Sequence, residues 1–318
     1  MMINEVIASF YQHQAFLIAS HIRPDGDSIG SELSLYHILR SLGKDVTVYN
    51  QDQTPSYYRF LPGSEVIVHT VGKPESYDAA IIVDCNGLDR IGSGEEEVGR
   101  IKQLINIDHH VPRQSKFHLS YTDASSSSTG ELIYRLAVAM GIEITFPVAT
   151  NLFTAIMTDT GRFCYKGTNK ETFLAAADLV ACGADPQFIG ERVYESNSTI
   201  KICLLKRALE TLRFDFDGRV GSMVLFRQDF ADLDAKYEHA EDFVNMPKEI
   251  ETVDISVFYT EIEPDIFKAS FRSKRDVNVE RIASSLGGGG HINAASCNLE
   301  GPFAVACERV LTATESVL

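Results

Sequence analysis

The chain lacks any long apolar segment. None of its apolar runs approaches the roughly 20 residues that a membrane-spanning helix needs. Its N-terminus, with Glu5 and His13 around a short amphipathic stretch, does not resemble a secretory signal. The sequence therefore predicts a cytoplasmic protein with no membrane partner.

Paired cysteines are also missing. The 6 cysteines are scattered, and none belongs to a Cys-x-x-Cys pair. This spacing argues against a disulfide framework and against a structural zinc site. We therefore expect buried free thiols.

Positive charge is scarce. Acidic residues outnumber basic ones by 44 to 29, so the formal net charge is −15. Sequence-independent affinity for a polyanion needs a basic face that releases counterions. The charge thus argues against long nucleic acid as a partner, and any nucleic-acid substrate should be short.

The first part of the chain predicts an α/β domain over residues 1–188. Short apolar runs alternate with helical or polar stretches, as in a parallel sheet with helices on both faces. Ser128 and Glu131 have capping-box spacing, so one helix should begin near Thr129. Strands are predicted at 15–20, 46–49, 79–83 and 103–107, and the other helices at about 4–12, 27–42, 147–158 and 170–182.

The rest of the chain predicts a helical linker and a second domain. Residues 189–212 are interpreted as the linker, and residues 213–318 as a smaller α+β domain. Strands are expected at 219–226, 253–259 and 266–272, and helices at 279–286 and 303–317.

Acids and histidines gather where elements of the first domain end. The segment Ser20–Ser28 passes from a strand into a helix and contains His21, Asp25 and Asp27. Ligands of open α/β folds bind at this edge of the sheet, and an Asp-x-Asp spacing suits a bridged metal pair. Taken alone, the two aspartates could equally cap the helix that follows.

Three further element ends carry similar groups. Asp84 ends an apolar strand, Asp108, His109 and His110 end another, and Asp159 ends a helix. Each alone would more often be a cap, a turn residue or a satisfied histidine. Together they match the oxygen and imidazole ligand set of a dinuclear metal site.

These motifs resemble those of the DHH phosphoesterases, which are named for the triplet 108–110 and include RecJ-type exonucleases and family II pyrophosphatases. The motifs stand in the family's order and spacing across the first domain. Near the C-terminus, Phe271-Arg272-Ser273 and the stretch 287–295 resemble the substrate domain of the bacterial nanoRNase and pAp-phosphatase branch. Arg113 and Ser296 depart from the family's common pattern.

The resemblance implies a ligand set for two divalent cations. One would be held by His21, Asp25 and Asp84, and the other by Asp27, Asp84, His109 and Asp159. Four carboxylates formally neutralise two divalent cations. The mixed imidazole and carboxylate donors favour Mn²⁺ over Mg²⁺.

The resemblance also implies catalytic and substrate-binding residues. Asp84 would bridge the cations, Asp108 would orient an imidazole, and His110 would contact the phosphate or protonate the leaving oxygen. The glycine run could let backbone N–H groups approach a phosphate, or could be a flexible hinge. The expected substrate-binding residues are Arg272, Ser273, Gly288, Gly289, Gly290 and His291.

The implied reaction is hydrolysis of a phosphate ester by water activated by the two cations. Expected substrates are short oligoribonucleotides (nanoRNA), 3′-phosphoadenosine 5′-phosphate (pAp), or both. Alternatives are cyclic or linear dinucleotides, inorganic pyrophosphate or polyphosphate, and a non-catalytic nucleotide-binding regulator. The sequence leaves open whether the chain is a monomer or a homodimer.

Overall fold

The computed structural model describes residues 2–111, 116–240 and 242–318, so Arg113 lies outside the described residues. The chain divides into two compact units between Ser196 and Asn197. Across these described ranges, no helix is long and apolar enough to cross a membrane.

The first unit is a parallel sheet covered by helices. Its elements are α1 (Met2–Gln12), β1 (Ala15–Ala19), α2 (Gly26–Ser41), β2 (Asp45–Tyr49), β3 (Ile67–Val68), β4 (Ala79–Val83), α3 (Glu95–Gly99), β5 (Gln103–Asp108), β6 (Leu119–Thr122), α4 (Thr129–Ala139), α5 (Phe146–Asp159), α6 (Lys170–Ala181) and α7 (Pro186–Tyr194). The strand order is β3-β2-β1-β4-β5-β6, and all pairs are parallel. The order switches direction between β1 and β4, which is where an open α/β sheet forms its ligand crevice.

Both faces of this sheet are buried, which explains the uninterrupted apolar runs. Phe16 and Ile18 of β1 face a core shared with the large helices, whereas Leu17 and Ala19 pack on the opposite side with Val98 of α3. Side chains of a strand alternate between faces, so a strand covered twice is apolar throughout. The predicted α/β class with a parallel sheet is confirmed.

Two strands of this sheet were not predicted. β3 has only two residues, and β6 reads Leu-Ser-Tyr-Thr with every residue half-buried. Neither presents an apolar run or a clear alternation, so the sequence pattern had no signal for them.

The helix predicted near Thr129 begins there, but its capping box is only half formed. The Ser128 side chain accepts the backbone N–H of Glu131, as expected. The Glu131 carboxylate bonds instead to Ser127, whose backbone N–H and hydroxyl both donate to it.

The stretch 189–212 holds the end of one helix and the whole of a second. The first, α7, ends at Tyr194, and the second, α8 (Thr199–Glu210), begins after a short non-helical segment. The division between the units falls in this segment.

The second unit is built on a mixed sheet. Its further elements are β7 (Arg213–Asp215), β8 (Val220–Leu225), α9 (Arg227–Asp232), β9 (Ile255–Glu263), β10 (Ile266–Ser273), α10 (Val279–Ser285), β11 (Gly289–His291), β12 (Ala294–Glu300) and α11 (Phe303–Thr314). The order is β11-β12-β10-β9-β8-β7, in which only the β8–β9 pair is parallel among the pairs described. Phe267, Ala269 and Phe271 of β10 are buried in the core, so Arg272 stands on the other face.

Candidate metal centre

The predicted ligands of the first unit meet at one edge of its sheet. His21 follows β1, Asp84 follows β4, and Asp108 ends β5. These three strands are parallel neighbours, so their carboxyl ends lie side by side. His21 and Asp84 stand on the two sides of the switch point.

One group of potential ligands comprises His21, Asp25 and Asp84. The Nε2 atom of His21 lies 3.5 Å from Asp84 Oδ2 and 3.9 Å from Asp25 Oδ2. The Nδ1 atom is 2.8 Å from the carbonyl oxygen of Ile22. Because a carbonyl can only accept, Nδ1 carries the proton and Nε2 offers a lone pair to a cation.

A second group comprises Asp27, His109 and Asp159. The Nε2 atom of His109 lies 3.3 Å from Asp159 Oδ2 and 3.9 Å from Asp27 Oδ2. Its Nδ1 atom is 3.4 Å from the carbonyl oxygen of Ser126, so Nε2 is again the nitrogen left for a cation.

Asp84 is close to both histidines. Its Oδ2 lies 3.5 Å from His21 Nε2, and its Oδ1 lies 3.7 Å from His109 Nε2. The residue is buried, and its backbone is in the left-handed region with φ of 52°. Aspartate tolerates this conformation better than most residues do. One carboxylate thus presents a separate oxygen to each group.

Asp108 and His110 form a hydrogen-bonded pair beside the second group. Asp108 Oδ1 accepts from the backbone N–H of His110 at 3.0 Å and from its Nδ1 at 2.7 Å. The imidazole that Asp108 orients is therefore that of His110. The His110 side chain is 41% exposed, and its Nε2 is the nitrogen available to a substrate.

Asp25 and Asp27 also bind helix ends, as the alternative interpretation expected. Asp25 Oδ1 caps α2, while its Oδ2 remains on the side of the first group. Asp27 accepts the backbone N–H groups of Thr129 and Gly130 at 2.8 and 2.9 Å. A carboxylate has enough lone pairs for both tasks, so capping does not exclude metal binding.

The sequence did not reveal the part that the N-terminal end of α4 plays in this centre. Besides the two bonds to Asp27, the Thr129 hydroxyl donates to Asp84 Oδ1 at 3.1 Å. The serine run 125–128 and the capping spacing marked the helix start. They carried no sign of its partner, because Asp27 is 102 residues upstream of Thr129.

Two predicted substrate-binding residues of the second unit lie in one row across its sheet. Arg272 of β10 pairs with Ala294 of β12, which pairs with His291 of β11. Directly paired residues place their side chains on the same face of a sheet. Arg272 and His291 therefore share a face.

Ser273 lies on the opposite, buried face. Its hydroxyl donates to the carbonyl oxygen of Val277 at 2.6 Å and accepts from the Asn293 side chain at 2.9 Å. These bonds occupy the hydroxyl within the unit.

The glycine run is partly strand and packs closely. A Cβ at Gly288 would collide with the carbonyl oxygen of Ser296, and one at Gly290, where φ is 149°, would collide with Ala294 and Ala295. A Cβ at Gly289 would meet open space. The pairing of β11 with β12 argues against a flexible hinge.

Comparison with known proteins identifies the chain. The family model "DHH family, N-terminal domain" matches residues 15–158, and the "DHHA1 domain" model matches residues 222–317. The bifunctional oligoribonuclease and PAP phosphatase NrnA of Thermus thermophilus is 34% identical over 303 residues, which cover 95% of this chain and 89% of that one. The chain belongs to the DHH family of phosphoesterases. The resemblance drawn from the motifs, and the enzyme class it implied, are thereby confirmed.

Solved structures share the fold of this chain. An exopolyphosphatase-related protein from Bacteroides fragilis matches with a TM-score of 0.93 at 30% identity and covers 99% of this chain and 96% of its own. RecJ of Thermus thermophilus in complex with Mn²⁺ matches with a TM-score of 0.58 at 15% identity, covering 99% of this chain and 55% of its own. The second match is a likeness of fold alone.

DHH phosphoesterases are metal-dependent, and the residues of this chain fit that requirement. Burial raises the pKa of Asp27, Asp84 and Asp159, and neighbouring carboxylates raise each of them further. Within the described ranges, the ion pairs of these three acids are with histidines alone. The Oδ2 atom of Asp108 is buried with no partner there. Divalent cations would balance this crowding of negative charge.

Proposed function

We propose that the chain is a two-metal hydrolase of short oligoribonucleotides and pAp. The observation that carries the proposal is the position of Asp84, whose two oxygens lie 3.5 and 3.7 Å from histidines of separate ligand groups. The relative from Thermus thermophilus, whose name states both activities, is similar over 95% of this chain. The net charge of −15 agrees with substrates that are short.

The two ligand groups would each hold one cation, with Asp84 as the bridge. Imidazole nitrogens in both groups favour Mn²⁺, because Mg²⁺ prefers oxygen donors and retains its waters. When bound, the pair supplies Lewis-acid activation of water and stabilises negative charge on the phosphate. His21, Asp25 and Asp84 would form the first site, and Asp27, Asp84, His109 and Asp159 the second.

His110 is proposed as the proton donor to the leaving oxygen. Its Nδ1 is held at 2.7 Å by the buried Asp108 carboxylate, which fixes the orientation of the ring. The proton on Nε2 is then available to the ester oxygen as the P–O bond breaks. Asp108 acts by orienting the ring.

Arg272 and His291 are proposed to bind the part of the substrate that does not react. A guanidinium forms charge-assisted hydrogen bonds with a phosphate, and the two side chains share one sheet face. Gly289 leaves that neighbourhood open, while Gly288 and Gly290 allow β11 to pack on β12. Ser273 contributes by holding Asn293 in place.

A substrate panel tests the proposal. The purified protein would be incubated with pAp, a diribonucleotide, a five-residue RNA, a long RNA, cyclic and linear dinucleotides, pyrophosphate and polyphosphate, each with Mn²⁺ or Mg²⁺. We expect fast turnover of pAp and the shortest RNAs, with Mn²⁺ the better activator.

Other outcomes of the panel would replace this proposal. Preference for pyrophosphate or polyphosphate would indicate that nucleoside recognition is unimportant, and faster hydrolysis of cyclic dinucleotides than of the diribonucleotide or pAp would move the proposal to a cyclic dinucleotide phosphodiesterase. No turnover of any compound with either metal, in protein shown to bind Mn²⁺, would favour a non-catalytic role.

A further inference from the structure

We infer that Glu131 is a positioning residue of the metal centre, although it bonds to none of the proposed ligands. It would act through the segment Ser126–Gly130, here called the serine turn. The inference rests on the metal assignment made under the proposed function. Its test measures metal affinity and does not depend on the identity of the substrate.

The serine turn contacts three of the proposed ligands. Its backbone N–H groups donate to both oxygens of Asp27, its Thr129 hydroxyl donates to Asp84, and its Ser126 carbonyl faces His109 Nδ1. The contact with His109 selects the tautomer whose Nε2 can bind a cation. The contacts with Asp27 hold the plane of a buried carboxylate at the positive end of α4.

The Glu131 side chain holds this turn in place through hydrogen bonds with Ser127. The residue is fully buried, and its Oε2 accepts the Ser127 N–H at 3.2 Å and the Ser127 hydroxyl at 2.5 Å. The same oxygen accepts the Thr172 hydroxyl of α6 at 3.0 Å. Its Oε1 pairs with the guanidinium of Arg135.

These bonds join the turn to the helix packed beside it. A buried carboxylate is costly unless it is paired and hydrogen-bonded, so Glu131 strongly favours the one arrangement that supplies all its donors. That arrangement holds Ser127 in place, and with it the two neighbouring residues: Ser126, whose carbonyl faces His109, and Ser128, which caps α4. Without the acceptor, the Ser127 N–H and hydroxyl lose their partner, and the contacts of the turn with Asp27, Asp84 and His109 lose their support.

The experiment is a Mn²⁺ titration of metal-free protein, followed by calorimetry or by electron paramagnetic resonance. The variants are Glu131→Ala, Glu131→Gln and a matched control, Ile133→Ala. Ile133 lies on the same helix and is fully buried in the core, but it belongs to neither the turn nor its hydrogen bonds. Melting temperatures of the metal-free proteins would be measured in parallel.

We expect Glu131→Ala to weaken Mn²⁺ binding by roughly 10- to 100-fold, the range for loss of an outer partner of a metal ligand. Glu131→Gln should recover part of that affinity, because its amide oxygen can replace Oε2 as acceptor while its NH2 group cannot replace Oε1 as the acceptor for Arg135. Ile133→Ala should lower the melting temperature and leave Mn²⁺ affinity within about threefold, well below the effect on an outer partner.

Wild-type affinity in Glu131→Ala would overturn the inference, as would an equal loss in Ile133→Ala. If Glu131→Ala does not fold, Ser127→Ala removes one donor of the same link and should weaken binding in the same direction. Absence of Mn²⁺ binding in the wild type would overturn the metal assignment itself. Binding by the wild type without nucleotide hydrolysis would overturn only the proposed substrate.

Discussion

Asp27, Glu32, Asp84 and Glu131 are carboxylates with almost no exposed surface. A buried acid needs a cation, donors or a proton, since isolated charge is costly away from water. Glu131 has Arg135 and three donated bonds. Asp27 and Asp84 have histidines and, as proposed, two metal ions. Glu32 is different, because Asn50 donates to one oxygen and the other has no partner within the described residues.

The variant Asp84→Asn should abolish hydrolysis while the fold persists. The asparagine amide supplies one neutral oxygen where both oxygens of an ionised carboxylate are proposed to bind the cations. The loss of activity should therefore exceed the roughly 10- to 100-fold caused by removing an outer partner of a ligand. Turnover of pAp, bound Mn²⁺ and circular dichroism would be measured together.

The matched control for this variant is Asp78→Asn. Asp78 accepts two backbone N–H groups with one oxygen, but it precedes β4 and so lies at the opposite edge of the sheet. It should retain activity and metal. A metal-replete, active Asp84→Asn protein would contradict the bridging role.

The variant Glu32→Gln should change how stability depends on pH. Burial raises the pKa of Glu32 from 4.5 to about 8 in the folded protein. An acid with a raised folded pKa stabilises the fold fully below its unfolded pKa, and this contribution is lost as pH rises through the folded pKa. At ~1.4 kcal/mol per pKa unit, Glu32 should lower the free energy of unfolding of the wild type by several kcal/mol between pH 5 and pH 8.

Urea unfolding of both proteins across that pH range, in metal-free buffer, would measure the effect. Glu32→Gln should match the wild type near pH 5 and exceed its stability near pH 8. Parallel pH profiles for the two proteins would show that Glu32 is already ionised in the fold.

At the scale of elements, the residues of the site come from both strand ends and helix ends. Strands β1, β4 and β5 bring His21, Asp84 and Asp108 to one edge, and the end of α5 adds Asp159. The start of α4, which lies 102 residues further along the chain, then donates backbone hydrogen bonds to Asp27. In the second unit, the hairpin β11–β12 extends the face that carries Arg272.

Gly288→Ala and Gly289→Ala should separate packing from binding in that hairpin. A methyl at Gly288 meets Ser296 and Cys297, so it should destabilise the protein by about 1–3 kcal/mol, as overpacking does. A methyl at Gly289 enters open space, so the melting temperature should hold while the KM for pAp rises. If Gly289→Ala leaves KM unchanged, this part of the hairpin does not contact substrate.

At the scale of the whole molecule, we expect the net charge to limit the length of the substrate. A net charge of −15 repels the phosphates of an RNA that lie near the protein surface, and a long RNA brings more of them there than a dinucleotide does. The two units are matched by the two family models in chain order, with the DHH family N-terminal domain first and the DHHA1 domain second.

Salt should therefore weaken the preference for short RNA. At about 0.1 M salt, screening limits charge effects to roughly 10 Å, and higher salt shortens this range. The kcat/KM for a dinucleotide, divided by that for an RNA of about 20 residues, should decrease as the salt concentration is raised from about 50 to about 250 mM. A ratio that does not change would indicate that shape, and not charge, sets the length limit.

The sequence by itself predicted which residues could be ligands, and it determined that β1, β4 and β5 are buried strands of a parallel sheet. Both conclusions depend on neighbours in the chain, because apolar runs and motif spacing are local. Only the tertiary structure decided that Asp84 lies between two histidines, that the serine turn binds Asp27, and that Arg272 and His291 share a face. Those facts depend on strand order, register and helix packing, which join residues far apart in the chain and leave no pattern in either segment alone.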